Sequence, residues 1–322
     1  MDEALFAAML ASTLRVSTPL ILCALAGLFS ERSGVVDIGL EGKMLAAAFA
    51  AGAAGAMYQS TTIALLAAVC VAMCLSWIHG YACVSHRGDQ VVSGVAINII
   101  AAGLTVVLGI AWFEQGGQTP PLDTAVRINP LFPEFAQSAR AIPWVGRLVG
   151  EGLLSHSGMV YLALALVPSV WWLLFRTCFG LRLRAVGENP QMVDAAGVSV
   201  ARMRYTALTF NVVLCGLAGS YLVLAQSANF SANMTAGRGF MALAALIFGR
   251  WHPVNALWAC LLFGFLDAAA IRLQGVRVPG IGEVPVQMIQ ALPYVLTVVL
   301  LAGFIGKAVA PQALGKPYLK ER

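Results

Sequence analysis

Nine apolar runs, at 4–29, 34–57, 61–84, 91–113, 158–176, 205–226, 238–249, 253–271 and 286–305, occupy most of this 322-residue chain. Most approach the ~20 apolar residues that one helix needs to cross the hydrocarbon core of a bilayer. Hydrophobic residues make up 59% of the chain and charged residues 11%, where soluble domains average roughly 45–50% and ~25%. Apolar surface this abundant cannot be hidden inside an aqueous globule of this size, which excludes a soluble enzyme, and it equally excludes a disordered chain. The expected fold is an all-α polytopic membrane bundle of about nine to ten transmembrane segments, forming one domain over 1–322.

Several runs are irregular. The first carries Arg15 and Pro19, the second opens with Asp37 and Glu41, and the seventh spans only about a dozen residues between Gly237-Arg238-Gly239 and Gly249-Arg250. Such interruptions predict broken or re-entrant helices, because unpaired backbone at membrane depth survives only when buried in protein or lining a wet cavity. The stretches 34–113 and 238–305 each begin with a glycine-flanked irregular segment followed by full spans, a weak sign of internal duplication.

Charge orients the chain. The net charge of +5 does not indicate nucleic acid, since no basic run is interleaved with aromatics. With nine alternating segments and an outside N-terminus, Arg32, Arg87, Arg176, Arg182, Arg184, Arg202, Arg204, Arg250, Lys307, Lys316, Lys320 and Arg322 face the cytoplasm. Arg127, Arg140, Arg147, Arg238, Arg272 and Arg277 lie outside, and Arg15 and Lys43 lie within spans. The bias has the sign expected of a cytoplasmic C-terminus. The sequence lacks a basic region before its first apolar stretch, so Leu5 onward is expected to be a retained span. The Pro- and Gly-rich stretch 114–157 becomes an external loop, long enough to fold into short helices as a cap or a docking surface.

The seven cysteines lie mostly within apolar runs without metal-ligand spacing, and the four histidines form no triad or metal pattern, so neither a metal nor another cofactor is expected. A phosphate loop is also missing, because Gly39 to Lys43 and Gly303 to Lys307 have the wrong spacing. The chain is therefore expected to be no enzyme.

The scarce polar residues inside apolar runs are the candidate site. Ionised carboxylates are costly there, which singles out Glu31, Asp37 and Glu41. Asp37 and Glu41 would share a helix face, with Lys43 near enough to offset their charge. Asn98 and Ser93 could line one face of the fourth run and meet a polar solute, although an interhelical hydrogen bond serves Asn98 equally well. Phe240 could stack on a base, or, like Trp251, anchor at the membrane boundary. Asp37, Glu41, Ser93, Asn98 and Phe240 are thus the candidate substrate pathway. In the 177–204 segment, Asn189 before Pro190 reads as an N-cap with proline in the first helical position, and Gly197 as a terminator. A two-turn helix over Pro190–Ala196 would either dock into a groove on another protein or lie on the membrane surface.

Gly187-Glu188-Asn189-Pro190 with Ala195-Ala196-Gly197-Val198 resembles the coupling motif of ABC importer permeases of the branched-chain amino acid, ribose and nucleoside group. Glu31 to Gly42 (ERSGVVDIGLEG) resembles a signature of the nucleoside branch, with Asp37 where that branch usually has Asn, and further likeness lies in Ser93–Thr105 and Gly237–Pro253. The resemblance implies the permease subunit of a bacterial ABC importer for a nucleoside or related polar solute in the inner membrane. It implies a heterodimer with a second permease, an ABC ATPase, an external substrate-binding lipoprotein and surrounding membrane lipid. It assigns Gly187, Glu188, Asn189, Pro190, Asp194, Ala195, Ala196 and Gly197 to ATPase coupling. A sugar or branched-chain amino acid permease, or an ion-coupled secondary transporter using the intramembrane carboxylates, is the alternative.

Overall fold

Helices dominate the computed structural model, which describes residues 3–139, 146–273, 277–278, 282–283, 291, 295 and 309–320. In chain order they are α1 (Glu3–Arg32), α2 (Leu40–Tyr58), α3 (Thr61–Gly80, continued by a π turn Tyr81–Ser85), α4 (Gln90–Phe113), α5 (Pro133–Ala139) and α6 (Gly158–Arg176). Then follow α7 (Cys178–Glu188), α8 (Pro190–Ala195), α9 (Val200–Tyr221, continued by a π turn Leu222–Ser227), α10 (Arg238–Phe248) and α11 (Pro253–Leu273). A two-residue antiparallel pairing joins Arg277–Val278 to Gly282–Glu283.

Among the described residues, six helices are long and apolar enough to cross a membrane: α1, α3, α4, α6, α9 and α11. The second and seventh apolar runs become α2 and the short α10, while the ninth, 286–305, lies outside the described residues apart from 291 and 295. The chain is a multi-pass membrane bundle.

Burial grades the helices. α9 and α1 are central, and their residues Leu20–Ala26, Ala207, Leu214, Cys215 and Ala218 join Leu40 and Met44 of α2 with Ala242–Leu246 of α10 in one core. Small side chains on α9 allow this close approach, since helices in lipid associate by tight packing. α3 and α4 are largely exposed along apolar flanks such as Val92, Ile99, Ile100 and Val107, as lipid-facing helices are.

Pro19 lies inside α1 and cannot donate to the carbonyl four residues back. That carbonyl, of Arg15, instead accepts from the Tyr221 hydroxyl at 3.1 Å. A neighbouring helix thus satisfies the group that proline leaves open.

The expected break around Asp37 is present: residues 33–39 form turns between α1 and α2, so α2 begins six residues later than its apolar run. A second interruption spans 228–237, between the π turn after α9 and α10. Within 114–157, residues 119–128 pair with the chain leading into and through the second interruption, burying Thr119, Leu122 and Val126. Thr119 N donates to Phe230 O (3.1 Å), Leu122 N to Ala228 O (2.7 Å) and Ile128 N to Leu224 O (2.9 Å). The same loop also contributes α5 and a π turn, Leu148–Leu153.

The 177–204 segment holds more structure than its caps announce. α7 was not signalled by proline or an obvious cap, yet the Thr177 hydroxyl accepts from Gly180 N, and Leu183 and Val186 bury its inner face.

Candidate functional site: a polar seam and a projecting helix

The turn before α2 is held by polar side chains from α3 and α4. Val36 N donates to Gln90 Oε1 at 2.6 Å, and His79 Nε2 lies 3.0 Å from Val36 O. The carbonyl can only accept, so Nε2 carries the proton, and in a neutral ring Nδ1 accepts from the Ser93 hydroxyl at 3.0 Å. Asn98 spans the next step, donating from Nδ2 to Ile38 O (3.1 Å) while its Oδ1 accepts from Gly42 N (2.8 Å). Ser93 and Asn98 are both half-buried.

Asp37 and Lys43 form a sealed ion pair. Lys43 Nζ lies 2.6 Å from Asp37 Oδ2 and 3.2 Å from Ser76 Oγ, and neither charged side chain is exposed. The other carboxylate oxygen, Oδ1, is buried and has no hydrogen-bond partner among the described residues.

Glu41 has a different task. Its Oε1 accepts from Gly237 N (2.8 Å) and its Oε2 from Gly239 N (2.6 Å). These N–H groups open α10, where a helix leaves donors unpaired and its dipole favours negative charge. Glu41 therefore caps α10 from the first turn of α2, tying the two interrupted segments together. At the other end of α10, the Trp251 indole donates to Glu31, and Arg32 donates twice to Trp251 O (3.0 and 2.8 Å). Trp251 is buried and joins helix ends.

Of the five candidate pathway residues, Asp37, Ser93 and Asn98 gather around the 36–42 turn, and Glu41 sits at the start of α10. Phe240, one residue beyond Gly239, is 46% exposed. His79, Gln90 and Ser76 do not stand out in the sequence, because each lies near the end of an apolar run, where a polar residue is ordinary; their partners Val36 and Lys43 lie more than thirty residues away in the chain.

α8 matches its sequence signals closely. Asn189 Oδ1 accepts from Met192 N (3.1 Å), and Pro190 takes the first helical position. Gly197 has φ +82°; its N–H reaches Asp194 O (2.9 Å) and Val198 N reaches Val193 O (3.1 Å). This left-handed ending closes the helix at Ala195, one residue short of the expected end. Val193 is buried against Val186 and Val200, whereas Gln191, Met192, Ala195, Ala196 and Gly197 are exposed. The result is a short knob with an apolar tip, seated through Val193.

The family profile described as branched-chain amino acid transport system / permease component matches residues 9–301. The guanosine ABC transporter permease protein NupQ of Bacillus subtilis (strain 168) is 39% identical over 318 residues, covering 96% of this chain and 95% of the relative. The nucleoside ABC transporter permease protein NupC of Lactococcus lactis subsp. cremoris is 37% identical over 319 residues, covering 97% and 96%. A solved structure described as an inward-facing ABC transporter of metal-chelate type aligns at TM-score 0.51 and 14% identity, covering 91% of this chain and 84% of that one, a likeness of fold alone.

Proposed function

The chain belongs to the branched-chain amino acid transport system permease family, and from that premise we propose that it carries a nucleoside across the bacterial inner membrane as the permease subunit of an ABC importer. The two relatives described above, one a guanosine and the other a nucleoside permease protein, support the substrate class. The physical observation that carries the reading is α8, whose exposed Met192, Ala195 and Ala196 form an apolar knob suited to a groove on another protein.

The proposed assembly is a heterodimer of this chain with a second permease, an ABC ATPase and an external substrate-binding lipoprotein. ATP hydrolysis belongs to the ATPase. In this arrangement 177–204 and the C-terminus are cytoplasmic, and the N-terminus and 114–157 are external. α8 with Gly187, Glu188, Asn189, Pro190, Asp194 and Gly197 receives the ATPase's motion. Access to the pathway switches sides because the ligands and ATP bind the two conformations unequally.

Within the pathway, Phe240, Asn98 and Ser93 face the solute in at least one conformation. Asp37 and Glu41 shape the interrupted helices beside it. No ion-coupling role is assigned to Asp37, because its charge is already neutralised by Lys43.

The test is co-purification of the ATPase with the tagged chain, followed by competition of labelled guanosine uptake by purine and pyrimidine nucleosides, ribose and leucine. Competition by nucleosides alone is expected. Competition by ribose or leucine alone would move the substrate to the sugar or amino acid class.

A further inference from the structure

The C-terminal segment 309–320 lies across the coupling region. Ala313 N donates to Gly187 O (2.8 Å) and Gly315 N to Gly34 O (3.1 Å), so one short strap hydrogen-bonds both to the end of α7 and to the turn after α1. Gln312 N donates to Glu188 Oε2 at 3.3 Å. Tyr318 packs against the cluster of Val186, Val193 and Val200 that seats α8. Lys320 reaches Asp194 of α8 at 3.7 Å, in an exposed position.

A buried arginine closes the junction. Arg204, in α9 and 1% exposed, donates from Nε to Ser33 O (3.3 Å) and from Nη2 to Lys316 O (3.4 Å). The backbones meet without intervening side chains. A Cβ on Gly187 would fall 2.2 Å from Arg32 O, and one on Gly34 would fall 3.1 Å from both Ala313 O and Arg204 Nη2. Three residues beyond Gly34 the chain reaches Asp37 and its ion pair with Lys43.

α8 alone is a poor lever. It has six residues, is joined covalently to α7 through Asn189 and to α9 through 196–199, and is seated by one buried side chain, Val193, so a force on its tip can be absorbed by those joints. We propose that the C-terminal strap is a brace that makes α8 and the 33–37 turn move as one body. The ATPase's motion then passes through Tyr318, the strap backbone and Arg204 into the turn that starts α2. Arg204 and Tyr318 are positioning residues in this scheme, which rests on the ABC permease reading above. Its physical content is a contiguous set of backbone contacts between two elements that must shift together.

The experiment uses the whole complex, reconstituted in proteoliposomes with its binding protein, and measures nucleoside taken up per ATP hydrolysed. Two variants are compared with the parent: a chain ending at Lys316, and full-length Tyr318→Ser. Both are expected to retain the ATPase and its hydrolysis while uptake per ATP falls at least about fivefold, the lower end of typical coupling between sites. Lys320→Ala, which breaks only the exposed pair, should stay within about twofold. An unchanged ratio in both strap variants would overturn the brace, as would loss of the ATPase from both, since the strap would then be a docking element. A parent complex without ATP-driven uptake would instead overturn the underlying transport reading.

Discussion

Lys43 Nζ lies 2.6 Å from Asp37 Oδ2 with neither side chain exposed, so a full ion pair is enclosed between the 33–39 turn and the first turns of α2. The pair joins the two ends of one break in the helix, and Ser76 adds a third partner from α3.

Breaking that pair from one side leaves a buried charge alone. Asp37→Asn should destabilise the protein by about 3–5 kcal/mol, and adding Lys43→Met should recover much of the loss, because two uncharged partners avoid the desolvation cost. Thermal unfolding in detergent measures both. Equal stability of Asp37→Asn and the parent would show that the pair contributes nothing.

The cap on α10 is a second exposed point. Glu41→Ala removes the acceptor for Gly237 N and Gly239 N and should cost about 1–2 kcal/mol, in the range of a lost cap with a favourable dipole interaction. Glu41→Gln keeps an acceptor but not the charge, so its unfolding temperature should fall between the two. Reversal of that order would remove the dipole from the explanation.

The helices that could be read directly are those whose burial is expressed as an apolar run. Thr61–Ser85 and Gly158–Arg176 fall within a residue or two of their runs, since lipid and protein both reward apolar residues there. α9 begins at Val200, five residues before its run, because Arg202 and Arg204 interrupt the apolar pattern while Ser199 caps the helix. Arg204 is nevertheless buried, satisfied by backbone carbonyls that only the folded chain supplies. α8 was legible because capping is local chemistry, carried by Asn189, Pro190 and Gly197. α7 was not, since two interior glycines, Gly180 and Gly187, hide a helix whose packing partners are distant in sequence. For the polar seam, Asp37, Glu41, Ser93 and Asn98 stood out as polar residues among apolar ones. What each one touches depended on tertiary contacts: Glu41 reaches α10 nearly two hundred residues away.

Coupling through α8 makes a third prediction. Ala195 is exposed on the knob, so Ala195→Asp should leave the chain folded and inserted while placing a charge where an apolar partner surface is proposed. Uptake per ATP, or retention of the ATPase, should fall at least about fivefold. Asn189→Ala, which removes the N-cap, should weaken α8 by about 1 kcal/mol and give a milder defect of the same kind. Full activity in Ala195→Asp would separate α8 from the ATPase.

A fourth concerns pH. His156, ahead of α6, is buried with Nε2 3.0 Å from Gly152 O, and burial lowers its pKa below the ordinary 6.5. Above that value the ring is neutral folded or unfolded. As pH falls below it, the unfolded chain takes up the proton first, so stability declines until the lowered folded pKa is passed. His156→Gln should flatten that decline in unfolding curves taken from neutral pH downward. An unaltered slope would assign the acid sensitivity to other groups.

In the proposed importer, ATP spent by a partner drives a nucleoside through this chain. The most direct measurement is guanosine uptake by proteoliposomes holding the reconstituted complex, with ATP supplied on the ATPase side and no ion gradient. Uptake that requires ATP and the ATPase and is indifferent to a proton ionophore is predicted. Uptake that continues without the ATPase and collapses with the ionophore would contradict it.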